Sequence, residues 1–436
     1  MKLVHLIFFI FISTELFSKN LFNSKTFTLT NGLKVIVVEN KRAPVVAQMI
    51  WYDFGSGVEE KGKSGLAHFM EHLMFKGTKK FPNDYYSNFL SKIGGSENAF
   101  TSYDYTAYYQ IFPSSETERI IEMEADRMRN LTLTKANIET EKKVILEERF
   151  QRIESKPSSQ LDESMRTILF PNHYYGRPII GWKHEIETLV YQDVLDFYNK
   201  YYNPNNATLV LSGDIDLETA KKLTKRFFGK IRKAKNLPQK KLLDPDLRTS
   251  VFVELDHPNV KQSIWKKMHR VDSYNKSIEN GIALDIGLKI LVGGSTSILY
   301  EELVNKKKIF SMIGGFYQGL TKGDGYSFFY AIPIEYLDSR KIDKIVSDEM
   351  RIAIKKKITL EKVNLEKKQY FFDSVYGMDG ILKPAEIIGE AVTVGIKLED
   401  IENWNEKLEQ IDLEDVIKAL NEFYENKNFV IGSLKN

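Results

Sequence analysis

Two histidines and a glutamate lie close together in the segment His68-Phe69-Met70-Glu71-His72. On a helix, residues i and i+4 project from one face, so both imidazoles could reach one Zn²⁺ at about 2.0–2.1 Å. Glu71 could then accept a proton from a metal-bound water, whose pKa zinc lowers to about 7. Two polar surface histidines are the alternative, but Phe69 and Met70 favour burial near a core. The spacing therefore indicates a metal site with His68 and His72 as ligands and Glu71 as general base.

A third ligand must come from elsewhere, because catalytic zinc sites usually have three protein ligands and an open position. Thr134 could cap a helix that runs through Glu148. Glu148 shares a face with Glu141, seven residues earlier, whereas Glu147 lies about 100° round the helix beside Lys143, on the solvent side. Glu148 is thus the better ligand and Glu141 a candidate to support the site from behind, although many helical glutamates are only solvated charges.

Composition limits what else the chain can do. The 436 residues carry 62 Lys and Arg against 59 Asp and Glu, and this net charge of +3 gives no footprint for nucleic acid. The absence of cysteine excludes disulfides, thiolate zinc sites, iron–sulfur clusters and a cysteine nucleophile. Any transition metal must therefore be held by carboxylates and the 7 histidines.

The N-terminus is typical of a secretory signal peptide. Lys2 precedes ten mostly apolar residues, 3–12, and small or polar residues follow up to Ser18. This run is too short to span a bilayer, and no later segment is long and apolar enough for a stable membrane span. We predict a signal peptide over residues 1–18 and export to the periplasm or cell envelope of a bacterium; a buried N-terminal strand is the alternative.

The remainder of the sequence shows the pattern of an internal duplication. Residues 44–51 and 258–265 share Pro, Val, Gln, Ile and Trp at one offset, 258 − 44 = 214, and each segment reads as a strand. Similar strand-like segments, 207–213 and 428–433, end the two halves. The pattern predicts an α+β fold of two homologous halves, each a mixed or antiparallel sheet with helices packed on it. Domain boundaries are predicted at 19–231 and 247–436, joined by a basic linker over 232–246.

A family resemblance adds to these observations. The stretch from Gly65 to Thr78, which contains the His-x-x-Glu-His inverzincin order, resembles the pitrilysin/insulinase family of zinc peptidases. The likeness covers nearly all of residues 25–436 and is greatest to short two-domain members similar to the mitochondrial processing peptidase β subunit. It implies one Zn²⁺ per chain, held by His68, His72 and the glutamate 76 residues after the second histidine, Glu148, with Glu71 as general base.

The segment Gly94 to Ser102 resembles the family's exposed edge strand beside the zinc. Such an edge offers unpaired N–H and C=O groups to an extended peptide, which can add as a further strand. The resemblance implies Gly95, Asn98, Ala99 and Phe100 as substrate-binding residues; without it, Asn98 reads as a turn residue. His173, in another family-like segment, is interpreted as part of a structural loop.

The second half departs from the family pattern. Active members carry an Arg and a Tyr seven residues apart that bind the substrate carbonyl, and Val304 and Ser311 stand at those positions here. The residues 214 beyond the predicted histidine ligands are Ile282 and Ile286, so no second zinc site is expected. A homologous partner chain that supplies the Arg/Tyr pair is therefore the preferred hypothesis. A self-sufficient homodimer, a non-catalytic scaffold and a peptide-binding protein are the alternatives.

Overall fold

The computed structural model describes residues 20–235 and 242–435, so the predicted signal peptide lies outside the described residues. The strands are β1 Lys25–Thr28, β2 Lys34–Glu39, β3 Val45–Tyr52, β4 Ser96–Thr101, β5 Thr106–Pro113, β6 Ala207–Gly213, β7 Val251–Asp256, β8 Ile264–Val271, β9 Phe310–Gln318, β10 Gly325–Pro333 and β11 Phe429–Lys435. The helices of the first half are α1 Leu66–Leu73, α2 Tyr85–Lys92, α3 Thr117–Asn130, α4 Lys135–Arg149, α5 Pro157–Leu169, α6 Lys183–Thr188, α7 Tyr191–Tyr201 and α8 Leu217–Phe227. Those of the second half are α9 Ile278–Val292, α10 Ile298–Tyr300, α11 Ser339–Lys356, α12 Leu360–Asp379, α13 Lys383–Val394, α14 Leu398–Glu402, α15 Trp404–Gln410 and α16 Leu413–Glu425.

Each half contains one sheet with helices packed on it, as predicted. The first sheet has the order β1-β2-β6-β3-β5-β4 and the second the order β7-β11-β8-β10-β9. One pair in each sheet is parallel, β2 with β6 and β7 with β11, and the other neighbours are antiparallel. Apart from the additional β1, the two sheets have the same topology, and the chain therefore consists of two homologous α+β halves.

The residue-level alignment at an offset of 214 is wrong. β3 begins at Val45 and β8 at Ile264, so the equivalent strands start 264 − 45 = 219 residues apart. Trp51 is the seventh residue of β3, whereas Trp265 is the second of β8. Of the five matched residues of the second half, only Ile264 and Trp265 lie in β8, and the other three precede it. Short apolar patterns can match at several registers, so these identities did not mark equivalent positions.

The two halves exchange helices. α13 of the second half packs on β3 and β6 of the first sheet, and α5 of the first half packs on β11, β7 and β8 of the second. The approach of α13 requires Gly389, since a Cβ there would lie 1.9 Å from Nε1 of Trp51. β3 is consequently buried along most of its length, and the core is continuous between the halves.

The region of the predicted linker contains neither helix nor strand at residues 232–235 and 242–246, and β7 begins at Val251. A loop of the second half contacts the first half nearby: the Lys322 ammonium donates to Asp53, and its backbone N–H donates to the Asp104 carboxylate at 3.0 Å. Asp104 also accepts from the hydroxyls of Tyr174 and Tyr175 at 3.0 and 2.5 Å. These contacts join the loop after β9 to the loops that follow β3 and β4 in the first half. None of the helices in the described residues is long and apolar enough to cross a membrane.

Candidate metal centre

The helix that carries the histidines begins at Leu66, one residue later than it would with Ser64 as its N-cap. Ser64, a plausible N-cap, instead accepts a hydrogen bond at its Oγ from the Trp182 N–H at 2.8 Å. Gly65 is the N-cap, with a left-handed φ of 87°, and a Cβ there would lie 2.5 Å from the Ile180 carbonyl. The capping acceptor is the carboxylate of Glu59, which receives the N–H groups of Gly65 at 3.0 Å and Ala67 at 2.7 Å.

Glu59 is a functional neighbour that the sequence did not reveal, because it lies outside the helix and before the usual capping position. Burial raises its pKa to about 8, although the two N–H groups and Arg177 oppose that shift. Its acceptor oxygens satisfy two of the donors left free at a helix N-terminus. Glu59 thereby fixes where α1 begins and, through it, where the two histidines point.

The three predicted ligands come together where α1 packs on α4. Nε2 of His68 and Nε2 of His72 lie 3.5 and 3.4 Å from the same atom, Oε2 of Glu148. α4 begins as predicted, with the Thr134 Oγ1 accepting from the Asn137 N–H at 3.1 Å. His68, His72 and Glu148 are the only group of its kind among the described residues, and their ligand atoms lie within 4.8 Å of one another.

These residues fit a zinc ion. Two imidazole nitrogens and one carboxylate oxygen are a usual donor set for catalytic zinc. Oε2 of Glu148 is buried and has no hydrogen-bond partner among the described residues, which leaves a converging acceptor that a cation would satisfy. The other oxygen of Glu148 accepts from Arg152 at 2.9 Å, so the carboxylate presents Oε2 to the histidines.

Glu141 supports the site from behind His72. Its Oε1 lies 2.9 Å from His72 Nδ1, and its Oε2 lies 2.6 Å from the Lys76 ammonium. The hydrogen bond from His72, with that from Lys76, lowers the pKa of Glu141 to about 2. An ionised acceptor at Nδ1 keeps the proton on that nitrogen and leaves Nε2 free as a ligand.

The two imidazoles differ in charge preference. Burial, together with the neighbouring His72, lowers the pKa of His68 to about 4, so this ring is neutral and able to ligate. For His72, burial is outweighed by the hydrogen bond to Glu141 and by the nearby carboxylate of Glu148, which raise its pKa to about 9. The two carboxylates therefore favour positive charge at His72, whether carried by a proton or by a bound cation.

Glu71 lies on the same helix as the two histidines and lines one cavity with them and Glu148. Its Oε2 accepts from the Thr101 hydroxyl at 2.6 Å, and burial raises its pKa despite this bond. A carboxyl group whose pKa is raised in this way is well suited to accept and release a proton. Thr101 ends β4 and is a positioning residue that sequence reasoning passed over, since only its place in the sheet brings it to Glu71.

β4 is the edge strand of the first sheet, as predicted, and it lies beside α1. Asn98, Ala99 and Phe100 line a cavity of about 830 Å³ that also contains His68, Glu71, His72 and Glu148. Gly95 precedes the strand and is not among the lining residues; a Cβ there would lie 2.7 Å from the Ile111 carbonyl. Three of the four predicted substrate-binding residues thus face the cavity.

His173 is structural, as interpreted. Its Nδ1 accepts from the Tyr175 N–H at 3.3 Å and its backbone N–H donates to Asp244 at 2.9 Å. The ring packs against Tyr174 and Tyr175. Val304 and Ser311, at the expected Arg and Tyr positions, are a partly buried core residue and an exposed strand residue whose hydroxyl donates to the Ile332 carbonyl at 3.2 Å.

The second half contains a counterpart of the metal site, but at other residues than Ile282 and Ile286. α9 packs on α12 as α1 packs on α4. Glu366 and Asp373 follow the capping Thr359 by seven and fourteen residues, as Glu141 and Glu148 follow Thr134. On α9, Asp285 and Lys289 have the i, i+4 spacing of the histidines.

In this second-half counterpart of the metal site, the positive charge is the ammonium group of Lys289. Lys289 Nζ lies 3.6 Å from Glu366 and 4.0 Å from Asp373. Asp285 accepts from the Tyr274 hydroxyl at 2.9 Å. The carboxylates of α12 are retained there, and a lysine supplies the positive charge.

Two protein-family models match most of the chain. Residues 34–183 match the family described as "Insulinase (Peptidase family M16)", and residues 188–370 match the "Peptidase M16 inactive domain". The chain therefore belongs to the pitrilysin/insulinase family of peptidases, M16.

Two relatives and two solved structures illustrate the similarity. The chain is 30% identical over 295 residues to zinc protease PqqE of Helicobacter pylori, covering 65% of this chain and 64% of that protein. It is 30% identical over 203 residues to the mitochondrial-processing peptidase subunit beta of Blastocladiella emersonii, covering 47% and 43%. The alignments thus span less than two thirds of these relatives.

The structural matches extend further along the chain. A protease from Helicobacter pylori superposes with a TM-score of 0.88 and 24% identity over 95% of this chain and 99% of that one. The periplasmic protease PqqL from Escherichia coli gives a TM-score of 0.76 and 19% identity over 94% of this chain and 47% of that one. At these identities the structural matches show the fold.

Proposed function

We propose that this chain is the zinc-binding subunit of a metalloendopeptidase that hydrolyses extended or unfolded peptides. The observation that carries the proposal is the convergence of His68, His72 and Glu148, with Glu71 beside them in one cavity. Its relatives include proteins named as zinc proteases, which supports the same chemistry.

His68, His72 and Glu148 would hold one Zn²⁺, which when bound polarises a carbonyl and lowers the pKa of water. Glu71 accepts a proton from the attacking water and delivers it to the leaving amine. The Thr101 hydroxyl occupies Oε2 of Glu71, which orients the carboxyl group and leaves Oε1 for the transferred proton. Glu141 keeps His72 in the tautomer that presents Nε2.

An extended peptide would bind along β4. In the described residues β4 pairs with a strand on one side only, β5, so its outer edge can accept backbone hydrogen bonds. Asn98, Ala99 and Phe100 lie on this strand at the cavity wall. Folded proteins lack a free extended segment, so the substrate is an unfolded chain or a short peptide.

A homologous partner chain would complete the site by supplying an Arg/Tyr pair for the substrate carbonyl and the oxyanion. Val304 and Ser311 cannot donate this way, and Lys306 and Lys307 pair instead with Glu302 and Glu349 of their own half. Two findings support an assembly of two such units: one relative is named a subunit, and this chain covers 47% of PqqL. A homodimer with another oxyanion donor is the second candidate.

The N-terminal segment 1–18 would direct the protein out of the cytoplasm, to the periplasm or cell envelope. Fractionation of cells with an antibody to the chain tests this. Recovery in the cytoplasmic fraction with residues 1–18 intact would contradict export.

The function is tested with the purified chain, alone and with any co-purifying homologue, on a quenched unfolded peptide with zinc measured in the same samples. We expect about one zinc per chain, cleavage with the partner present, and loss of cleavage in Glu71→Gln with zinc retained. Glu147→Gln, exposed on α4, is the matched control and should cleave normally. Full activity of the chain alone would refute the partner, and absence of zinc would refute the ligand assignment.

A further inference from the structure

Arg166 on α5 lines the same cavity as the metal ligands and Glu71. Its guanidinium carbon lies 4.2 Å from the ring centre of Tyr326 and 5.5 Å from that of Tyr103. Nη1 is buried and has no hydrogen-bond partner among the described residues. The cavity therefore contains an arginine that contacts two aromatic rings and whose Nη1 amino group, with two N–H donors, has no acceptor in the described part of the chain.

Three other charged residues that line this cavity are paired with groups of opposite charge. Asp162 contacts the Lys266 ammonium at 2.6 Å, and Glu163 contacts the Arg149 guanidinium at 2.9 Å. Arg152, nearer the metal ligands, contacts Glu148 at 2.9 Å. Within residues 20–235 and 242–435, no carboxylate lies within 4.0 Å of the Arg166 guanidinium. Among these residues Arg166 thus makes no ion pair within 4.0 Å, because its acidic neighbour Asp162 is bound to Lys266.

We infer that Arg166 binds a carboxylate of the peptide substrate, either an acidic side chain or the free C-terminus. A guanidinium can donate two parallel N–H groups to a carboxylate, and its stacking on Tyr326 fixes the plane of that fork. A buried donor without an acceptor is costly, and a carboxylate that accepts from it forms a hydrogen bond roughly twice as strong as a neutral amide of the same shape would. The inference rests on the proposed function and specifies the substrate class.

The aromatic rings that hold Arg166 come from both halves of the chain. Arg166 and Tyr103 belong to the first half, whereas Tyr326 lies on β10 of the second. α5 also packs on the second sheet, so this arrangement depends on the exchange of helices between the halves. A carboxylate-selective site at this position is therefore a product of the whole chain.

The test compares cleavage of matched peptides by the full chain with its partner. One series places Glu or Gln at each position around the scissile bond, and a second carries a free or an amidated C-terminus. We expect the wild type to prefer the carboxylate in one series roughly 10- to 100-fold in kcat/KM. The series that responds identifies the source of the carboxylate, and equal rates throughout both series would overturn the inference.

Variants connect the preference to the residue. Arg166→Met should reduce the carboxylate-to-neutral ratio to near one, Arg166→Lys should retain part of it, and Arg166→Glu should favour a Lys peptide. Lys156→Met removes an exposed charge at the start of α5, outside the cavity lining, and should keep the wild-type ratio. An unchanged ratio in Arg166→Met would also overturn the inference.

A binding measurement separates this inference from the proposed hydrolysis. Fluorescence anisotropy with the Glu71→Gln chain reports peptide affinity without turnover. If no peptide is cleaved by the wild type but Glu71→Gln binds the acidic peptide more tightly in an Arg166-dependent way, hydrolysis fails and carboxylate recognition stands. If peptides are cleaved but neither rate nor affinity responds to the carboxylate, only the role of Arg166 fails.

Discussion

The support that Glu141 gives to His72 allows a quantitative prediction for zinc affinity. Glu141→Gln keeps an oxygen acceptor for the Nδ1 proton but removes the negative charge 2.9 Å away. A hydrogen bond to a charged group contributes about 1.5–3 kcal/mol and a neutral one about 0.5–1.5 kcal/mol. The difference of ~1–1.5 kcal/mol corresponds to a roughly tenfold weaker zinc Kd.

The neighbouring Lys76 should make the loss of zinc affinity in Glu141→Gln larger. Its ammonium lies 2.6 Å from Glu141 and would be left beside the metal site without its counter-ion. The Glu141 side chain is only 9% exposed, so water screens the interaction between the Lys76 ammonium and this position incompletely. We expect a loss of ten- to a hundredfold in Glu141→Gln, and partial recovery when Lys76→Met is added.

Competition with a chromophoric zinc chelator measures these constants directly. Glu147→Gln removes an exposed charge from the same helix and should bind zinc like the wild type. Thermal unfolding without zinc identifies variants that have simply lost their fold. A zinc Kd in Glu141→Gln equal to that of the wild type would refute the argument that Glu141 prepares His72 for the metal.

Three further predictions concern stability, measured by urea unfolding of zinc-free protein. Glu59→Ala leaves the N–H groups of Gly65 and Ala67 without their acceptor and should cost about 1–3 kcal/mol, whereas an unchanged midpoint would refute its capping role. Burial lowers the pKa of His269 well below its usual value, so below about pH 6.5 the unfolded state binds the extra proton and stability falls as pH falls. His269→Phe should remove about 1 kcal/mol of that dependence between pH 6.5 and 5.5, and identical pH profiles would exclude this residue as its source. Lys289→Met leaves Glu366 and Asp373 of α12 without their cation and should destabilise the protein by about 1–3 kcal/mol. A loss equal to that of the exposed Lys355→Met would contradict the role of the ion pair.

Local features of the protein could be predicted because short-range geometry determines them. The i, i+4 spacing of His68 and His72 places both rings on one helix face, and the Thr134 cap with the seven-residue spacing of Glu141 and Glu148 defines a second such face. Alternating apolar residues indicated the strands, whereas the edge position of β4 was implied by the family resemblance. These patterns depend only on neighbours within two or three turns of chain.

The tertiary structure decided what depends on contacts between distant segments. It placed Glu59 under α1, brought Thr101 to Glu71, and set Lys289 among carboxylates where the sequence pointed to two isoleucines. It also placed the starts of β3 and β8 219 residues apart and brought Arg166 against Tyr326. Such pairings follow from how whole helices and sheets pack together, and the local periodicity of a sequence carries no record of which distant residue will lie opposite.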